Sequence, residues 1–407
     1  MGKIDVLQLK NGIRVLVVPM VGRKSVVAQV TLKMGAKYEK KGEWGMSHFL
    51  EHMAFKGSDR WPTPQSLSRE IDSKGASCNA ETTEETVSYY IKTTKDKLDW
   101  ALDLLAEIVW RSKIPEIEVN KERGVIIEEI KMYQDNPLMG LSDEFTKLVL
   151  EKSPIGCWDV AGGVEDVGQI NRKGLIDYRD KYLNPREMMV TVAGDVDQAR
   201  VEKYFGEFEN KKAIKLPKVE MVFGERKEMK KKKNGVEQGH FVIGGRGWKR
   251  QDEKRYALRI LMTVLAGSMS SRLYDELREK RGWAYYVYGL NKSLVEGGVF
   301  GVQSGVRKDK LDEAIDLVEK EIIGLSDSLK LDEVERAKEQ SVARLEMMMD
   351  EVEFWAGATA EKLLLEGAVV DVAEELKKYA GVKLKEVKEV AEALSVKKDL
   401  YKLTVSQ

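Results

Sequence analysis

Cysteine is almost missing from this chain: its 407 residues hold two, Cys78 and Cys157. They could pair, but two thiols make no disulfide framework, and a reducing compartment is the simpler expectation. Excess charge of one sign is also missing. The 68 basic residues are balanced by 68 acidic ones, for a formal charge of zero, so the basic footprint of a nucleic-acid binder is absent. No apolar run reaches the roughly 18 residues that a membrane-spanning helix needs. The first residues, Met1-Gly2-Lys3-Ile4-Asp5, lead straight into strand-like alternation with no apolar stretch before them. No signal peptide is therefore expected, and the chain is read as cytoplasmic.

Histidine is the scarcity that informs most. There are three, and two of them stand four residues apart with a glutamate between: His48-Phe49-Leu50-Glu51-His52. On a helix, positions i and i+4 share a face, so both imidazoles can reach one ion. Glu51 lies at i+3 from His48 and borders the same place. Zinc takes N, O or S ligands in a tetrahedral array, with one position open to water when it is catalytic. A neighbouring carboxylate can then take that water's proton. The competing reading is a solvated helix face that happens to carry two histidines.

A catalytic zinc needs a third protein ligand. The run Lys121-Glu122-Arg123-Gly124-Val125-Ile126-Ile127-Glu128-Glu129-Ile130-Lys131-Met132-Tyr133 reads as helix and offers adjacent carboxylates. Glu128 shares its face with Lys121, Gly124 and Lys131, a solvated stripe. Glu129 shares its face with Glu122, Val125, Ile126, Met132 and Tyr133, which predicts a buried one. A carboxylate among apolar neighbours wants a cation, so Glu129 is the better ligand. Glu122, two turns earlier on that face, would orient a ligand or the water. The alternative is that both are ordinary helix-surface acids.

An internal repeat organises the chain. Lys95-Asp96-Lys97-Leu98-Asp99-Trp100-Ala101-Leu102-Asp103-Leu104 recurs as Lys308-Asp309-Lys310-Leu311-Asp312-Glu313-Ala314-Ile315-Asp316-Leu317. Residues 68–76 resemble residues 275–283 more loosely. Two homologous halves are expected: residues 1–212, a linker at 213–234, and residues 235–407. The Lys230-Lys231-Lys232-Lys233 run lacks interleaved aromatics and reads as solvated linker. Strands at 25–32 and 86–91 alternate with helices at 98–110 and 331–349. The expected fold is α+β, each half a mostly antiparallel sheet with helices packed on one face. Aligning Glu118-Val119 with Glu333-Val334 sets Ala337 against Glu122 and Arg344 against Glu129. The helix at 256–265 holds no histidine, so the second half has lost the metal site. His240, in a strand-like stretch, is read as structural.

These motifs resemble the pitrilysin family of inverzincin peptidases, which includes insulin-degrading enzyme and the mitochondrial processing peptidase. The family pattern is H-x-x-E-H, followed a little over seventy residues later by E-x6-E. His48, Glu51 and His52 match the first part, and Glu122 and Glu129 the second. Residues 75–83 resemble the family's substrate-binding edge strand, with its G-x-x-N-A-x-T core. Residues 182–195 resemble the strand that ends its first domain, and Arg278 with Tyr285 matches its R-x6-Y substrate-anchoring pair. The resemblance implies one Zn2+ per chain on His48, His52 and Glu129, with Glu51 as general base. It implies peptide bound along Ala76, Ser77, Asn79 and Ala80. It also implies a half-clamshell closed by a homodimer, in which Arg278 and Tyr285 of one chain reach peptide at the zinc of the other. The expected activity is zinc-dependent endopeptidase action on extended peptides or unfolded segments. A structural or heterodimeric subunit of a processing-peptidase-like complex is the alternative. Taken alone, Arg278 and Tyr285 would read as a surface arginine and a packed tyrosine.

Overall fold

The structure, a computed structural model, describes residues 3–151, 153, 159–196, 199–209, 211–225 and 227–407. Cys157 lies outside the described residues. Cys78 is a free thiol, and burial pushes its pKa up to about 12.

The chain forms two compact units, and the cut between them is not a single point. One unit comprises Met1–Lys131, Trp158–Lys218 and Met348–Val370; the other comprises Met132–Cys157, Val219–Met347 and Asp371–Gln407. The expected division at residues 213–234 therefore meets a chain whose halves exchange segments. The expected linker also holds a strand, Glu228–Lys232.

The first unit contains β1 (Asp5–Gln8), β2 (Arg14–Pro19), β3 (Ser25–Leu32), β4 (Ser77–Thr82), β5 (Val87–Thr94) and β6 (Met188–Gly194), ordered β1-β2-β6-β3-β5-β4. Only β2 and β6 run parallel. Central β3 is rich in β-branched residues and almost wholly buried. Its polar Gln29 is satisfied by Thr31 Oγ1 at 2.9 Å. The second sheet contains β7 (Glu228–Lys232), β8 (Gln238–Gly247), β9 (Ala284–Ser293), β10 (Gly298–Arg307) and β11 (Tyr401–Ser406), ordered β7-β11-β8-β10-β9, with only β7 and β11 parallel. Dropping β1 makes the two topologies the same, so the sequence repeat is a repeat of fold. Lysines on edge strand β7 suit an edge that must not recruit another strand.

The matching helices follow the same order. In the first unit they are α1 (Met46–Met53), α2 (Pro64–Ser73), α3 (Leu98–Trp110) and α4 (Glu116–Asp135). After α2 and before β4 stands Gly75 at φ 58°; before β9 stands Gly282 at φ 60°. Both are left-handed exits that glycine adopts without strain.

Each sheet carries helices on both faces, which differs from the one-sided packing expected. In the first sheet Tyr89 faces α1 and α3, beside Leu50, Ala54, Ile108 and Val109. Lys92, on the opposite face by strand alternation, pairs at 2.5 Å with Glu353 of the helix Val352–Glu361. In the second sheet Phe241, Ile243, Phe300 and Val302 pack under one helical layer. Val242 and Val299, on the other face, pack with Phe145 of α5 (Pro137–Val149). Each extra helix follows the long helix of the opposite repeat in sequence, so nothing in either repeat's own periodicity announces where it docks.

The lead-in to α1 is tied to the β4–β5 turn. Ala36 N donates to Thr83 O at 3.1 Å and Lys37 N to Glu84 O at 2.9 Å. A side chain at Gly35 would meet the Glu85 backbone at 2.4 Å. Lys37 Nζ bonds Glu85 Oε1 at 2.7 Å with both side chains almost fully buried. Removing one partner strands a buried charge. Lys37→Met is expected to cost about 3–5 kcal/mol in denaturant unfolding, whereas a loss within about 0.5 kcal/mol would show the pair to be solvated.

Candidate metal centre

Helix α1 carries His48 and His52 on one face, and α4 presents glutamates to them. His48 Nε2 lies 3.8 Å from Glu129 Oε2, and His52 Nε2 lies 3.5 Å from the same oxygen. Ligand atoms of His48, His52 and Glu129 all fall within 4.8 Å of one another, the one such grouping among the described residues. Zinc bonds of about 2.0–2.2 Å in tetrahedral array put ligand atoms roughly 3.3–3.6 Å apart. The donor set, two imidazole Nε2 atoms and one carboxylate, fits that ion.

The imidazoles are held unequally. His52 Nδ1 bonds Glu122 Oε2 at 3.0 Å, and Glu122 Oε1 bonds Lys56 Nζ at 2.7 Å. This line of charges turns His52 Nε2 toward the cluster, as a carboxylate behind a metal-ligating histidine does. His48 Nδ1 is buried and has no hydrogen-bond partner among the described residues. The buried stripe of α4 is Val119, Glu122, Ile126 and Ile130, whereas Val125, Met132 and Tyr133 are exposed. The apolar burial expected around Glu129 therefore lies one side of it. Glu129 sits at the stripe's edge with a side chain 30% exposed. Glu128 points away and pairs with Lys131 at 2.7 Å.

Electrostatics follow from these contacts. Burial lowers the His48 pKa, and the neighbouring His52 lowers it further. Burial would also lower that of His52, but hydrogen bonds to Glu122 and Glu129 and the charge of Glu51 outweigh it and bring the value to about 9. Burial raises the pKa of Glu51, opposed by a hydrogen bond from Thr82. In the metal-free protein His52 is the cation of the cluster.

Glu51 accepts a hydrogen bond from Thr82 Oγ1 at the end of β4. That strand is an edge, paired only with β5 among the described strands. Ser77 and Asn79 are exposed on it; Ala80 and Thr82 are half-buried on the other side, and half-buried Ala76 precedes the strand. In the second unit, Arg278 Nη1 donates to Tyr285 O at 2.7 Å, with its guanidinium 5.7 Å from the Tyr285 ring. Tyr285 is 70% exposed on edge strand β9, and so is not packed in the core. Ala337 is buried on the counterpart of α4, and Arg344 bonds Gly267 O at 3.0 Å. His240 is buried, with Nδ1 3.0 Å from Tyr286 OH. Sequence reasoning missed Lys56, and it had Thr82 only as part of the edge strand, without its bond to Glu51. Lys56 stands four residues past His52, a spacing that could have flagged it; the Thr82 bond is visible only once β4 lies beside α1.

Two models of one peptidase family match the chain. Insulinase (peptidase family M16) covers residues 14–155, and the peptidase M16 inactive domain covers residues 169–341. The chain is 31% identical over 390 residues to an uncharacterized zinc protease of Bacillus subtilis, covering 95% of this chain and 94% of that one. It is 31% identical over 355 residues to an uncharacterized zinc protease of Rickettsia bellii, covering 86% and 85%. The chain belongs to the M16 family of peptidases, the pitrilysin-like group. Its fold is similar to the crystal structure of a protease from Helicobacter pylori, with a TM-score of 0.89, 23% identity, and 100% and 99% of the two chains covered. The relatives are named zinc proteases, and the His48, His52 and Glu129 cluster is compatible with that metal. No helix among the described residues is long and apolar enough to cross a membrane.

Two measurements follow. Elemental analysis of Glu129→Gln is expected to show metal loss while Glu128→Gln keeps it; equal loss in both would remove Glu129 from the ligand set. Zinc binding should also be proton-linked. The His52 pKa is raised from 6.5 to about 9, so its contribution to metal-free stability is complete below 6.5 and lost as pH passes 9. Binding displaces that proton, so zinc affinity is expected to rise about tenfold per pH unit from neutrality toward pH 9 and then level off. Calorimetry in buffers of different ionisation enthalpy reads the released proton, and a flat affinity over that range would contradict the linkage.

Proposed function

We propose that this chain is a zinc metalloendopeptidase acting on extended peptides or unfolded segments, and that it works as a homodimer. One observation carries the reading: Glu51, beside the two histidines, is bonded to Thr82 of an unpaired sheet edge. The group suited to move a proton is thus built against the strand on which a peptide can lie. An extended peptide adds to β4 by main-chain hydrogen bonds, which give affinity with little sequence selectivity. Folded proteins do not offer such a segment.

His48, His52 and Glu129 would hold the ion. A zinc ion bound there would supply Lewis acidity and lower a water's pKa toward neutrality. Glu51, its pKa raised by burial, takes the proton of the attacking water and passes it to the leaving amine. Glu122 and Lys56 keep His52 turned toward the ion. Tyr285 and Arg278 of the partner chain would hydrogen-bond near the scissile carbonyl and hold substrate main chain. The exposure of Tyr285 on an edge strand supports that role. The inactive-domain match to the second half agrees with Ala337 and Arg344 standing where the first half has Glu122 and Glu129. The intact set in the first half weighs against a purely structural subunit.

Glu51→Gln is expected to keep zinc and lose at least about a hundredfold in peptide turnover. Tyr285→Phe chains are expected to be weak on their own. Mixed and exchanged, the two variants should regain one competent site of two. No recovery after proven subunit exchange would mean that each chain builds its site alone or that Tyr285 plays no part. A metal-free Glu51→Gln would mean that Glu51 is a ligand.

A further inference from the structure

The helix that carries the two histidines does not cap itself. Helix α1 has eight residues, Gly45 at its N-cap with φ 85°, and no acidic residue in its first turn. A helix this short is marginal in isolation, and its first N–H groups have no partners within it. Gly45 is held to its shape because a Cβ there would lie 2.5 Å from Ala161 O. The usual serine, threonine or aspartate cap is therefore ruled out at that position.

The missing acceptors come from upstream in the chain. Glu39, 4% exposed, accepts from Gly45 N through Oε2 at 2.8 Å and from Ser47 N through Oε1 at 2.8 Å. Both oxygens act as acceptors for N–H groups at the helix N-terminus. Burial pushes the pKa of Glu39 up to about 8, while the bonds from Ser47 and Gly45 act to lower it. Ser47 is itself fully buried, with Oγ donating to Met34 O at 2.6 Å and lying 2.9 Å from Tyr178 OH. His48 is the next residue. Its place is set by the first turn of α1, the part of a helix most prone to fray.

We infer that Glu39 is a positioning residue for the metal centre: its carboxylate fixes the first turn of α1 and with it the location of His48 Nε2. The inference rests on the zinc reading above. Ligands must stay within about 0.5 Å of productive geometry, and loss of support behind a ligand costs about 10–100-fold in metal affinity. In Glu39→Gln one acceptor becomes an NH2 donor that faces a backbone N–H. The pair of bonds cannot survive, although side-chain volume is unchanged.

Chelator competition measures zinc Kd for wild type, Glu39→Gln and Tyr401→Phe. The last removes a buried hydroxyl bonded to Gly224 O at 2.6 Å in the other unit, and so controls for general loss of stability. Glu39→Gln is expected to raise Kd about tenfold or more, and to speed amide exchange across residues 45–48 in the metal-free protein. Tyr401→Phe is expected to lower Tm without moving Kd. An unchanged Kd in Glu39→Gln, or an equal rise in Tyr401→Phe, would overturn the inference alone. A wild type that binds no zinc would overturn the metal reading and this one with it. Should Glu39→Gln not accumulate folded, wild-type exchange decides. The Ser47 amide is expected to be protected as well as that of Phe49, which bonds Gly45 O at 2.9 Å within the helix; exchange of Ser47 at loop rates would overturn the inference.

Discussion

Carboxylates that crowd together away from bulk water need positive charge among them. Glu51, Glu122 and Glu129 converge on two imidazoles, and much of the first unit can be understood as the means of keeping them there. Lys56 neutralises Glu122 from behind. His52 supplies a proton-borne charge in the metal-free protein. Helix α4 brings two of the acids, α1 brings the imidazoles and the third acid, and β4 lends a hydroxyl. Without positive charge the arrangement repels itself, and His48, His52 and Glu129 are the donors grouped closely enough to suit a divalent ion. The cost of desolvating charges is what makes the position of each residue restrictive.

The histidine pair, Glu51 and Glu129 were legible in the sequence because helical spacing is a local property. Three turns of α4 suffice to tell Glu129 from Glu128, even though the buried stripe runs through Val119, Ile126 and Ile130 and not through Val125 and Met132. The repeat of fold was also legible, because the same Lys-Asp-Lys turn opens a helix in both halves. What could not be seen is what tertiary contact decides. Glu39 belongs to no periodic pattern, and its role exists only because the chain folds back on the start of α1. Thr82 matters only once β4 lies beside that helix. The helices on the second face of each sheet dock on the opposite repeat's sheet, where no local pattern points.

The two units show one architecture carrying different side chains at matching places. Strand order, the left-handed glycine before the edge strand and the long helix after it recur in both. The differences fall on two helix faces: Ala337 stands against Glu122, Arg344 against Glu129, and the helix at 256–265 holds no histidine. The second unit's edge strand instead displays Tyr285 and Tyr288 to solvent. Core packing constrains the scaffold, and the exposed or cluster-facing positions are the ones free to diverge.

The exchange of segments between units also bears on how the chain comes to be folded. The first unit begins with Met1–Lys131 but includes Met348–Val370, and the helix at 352–361 together with Leu363 and Leu364 covers Leu16 and Met189. During synthesis at about 5–20 residues per second, one face of the first sheet stays bare for on the order of tens of seconds after its first strands emerge. Apolar surface exposed for that long invites association with other nascent chains. The cover of Leu16 and Met189 is encoded in the segment from Met348 onward, so that face cannot be closed before this segment has been made.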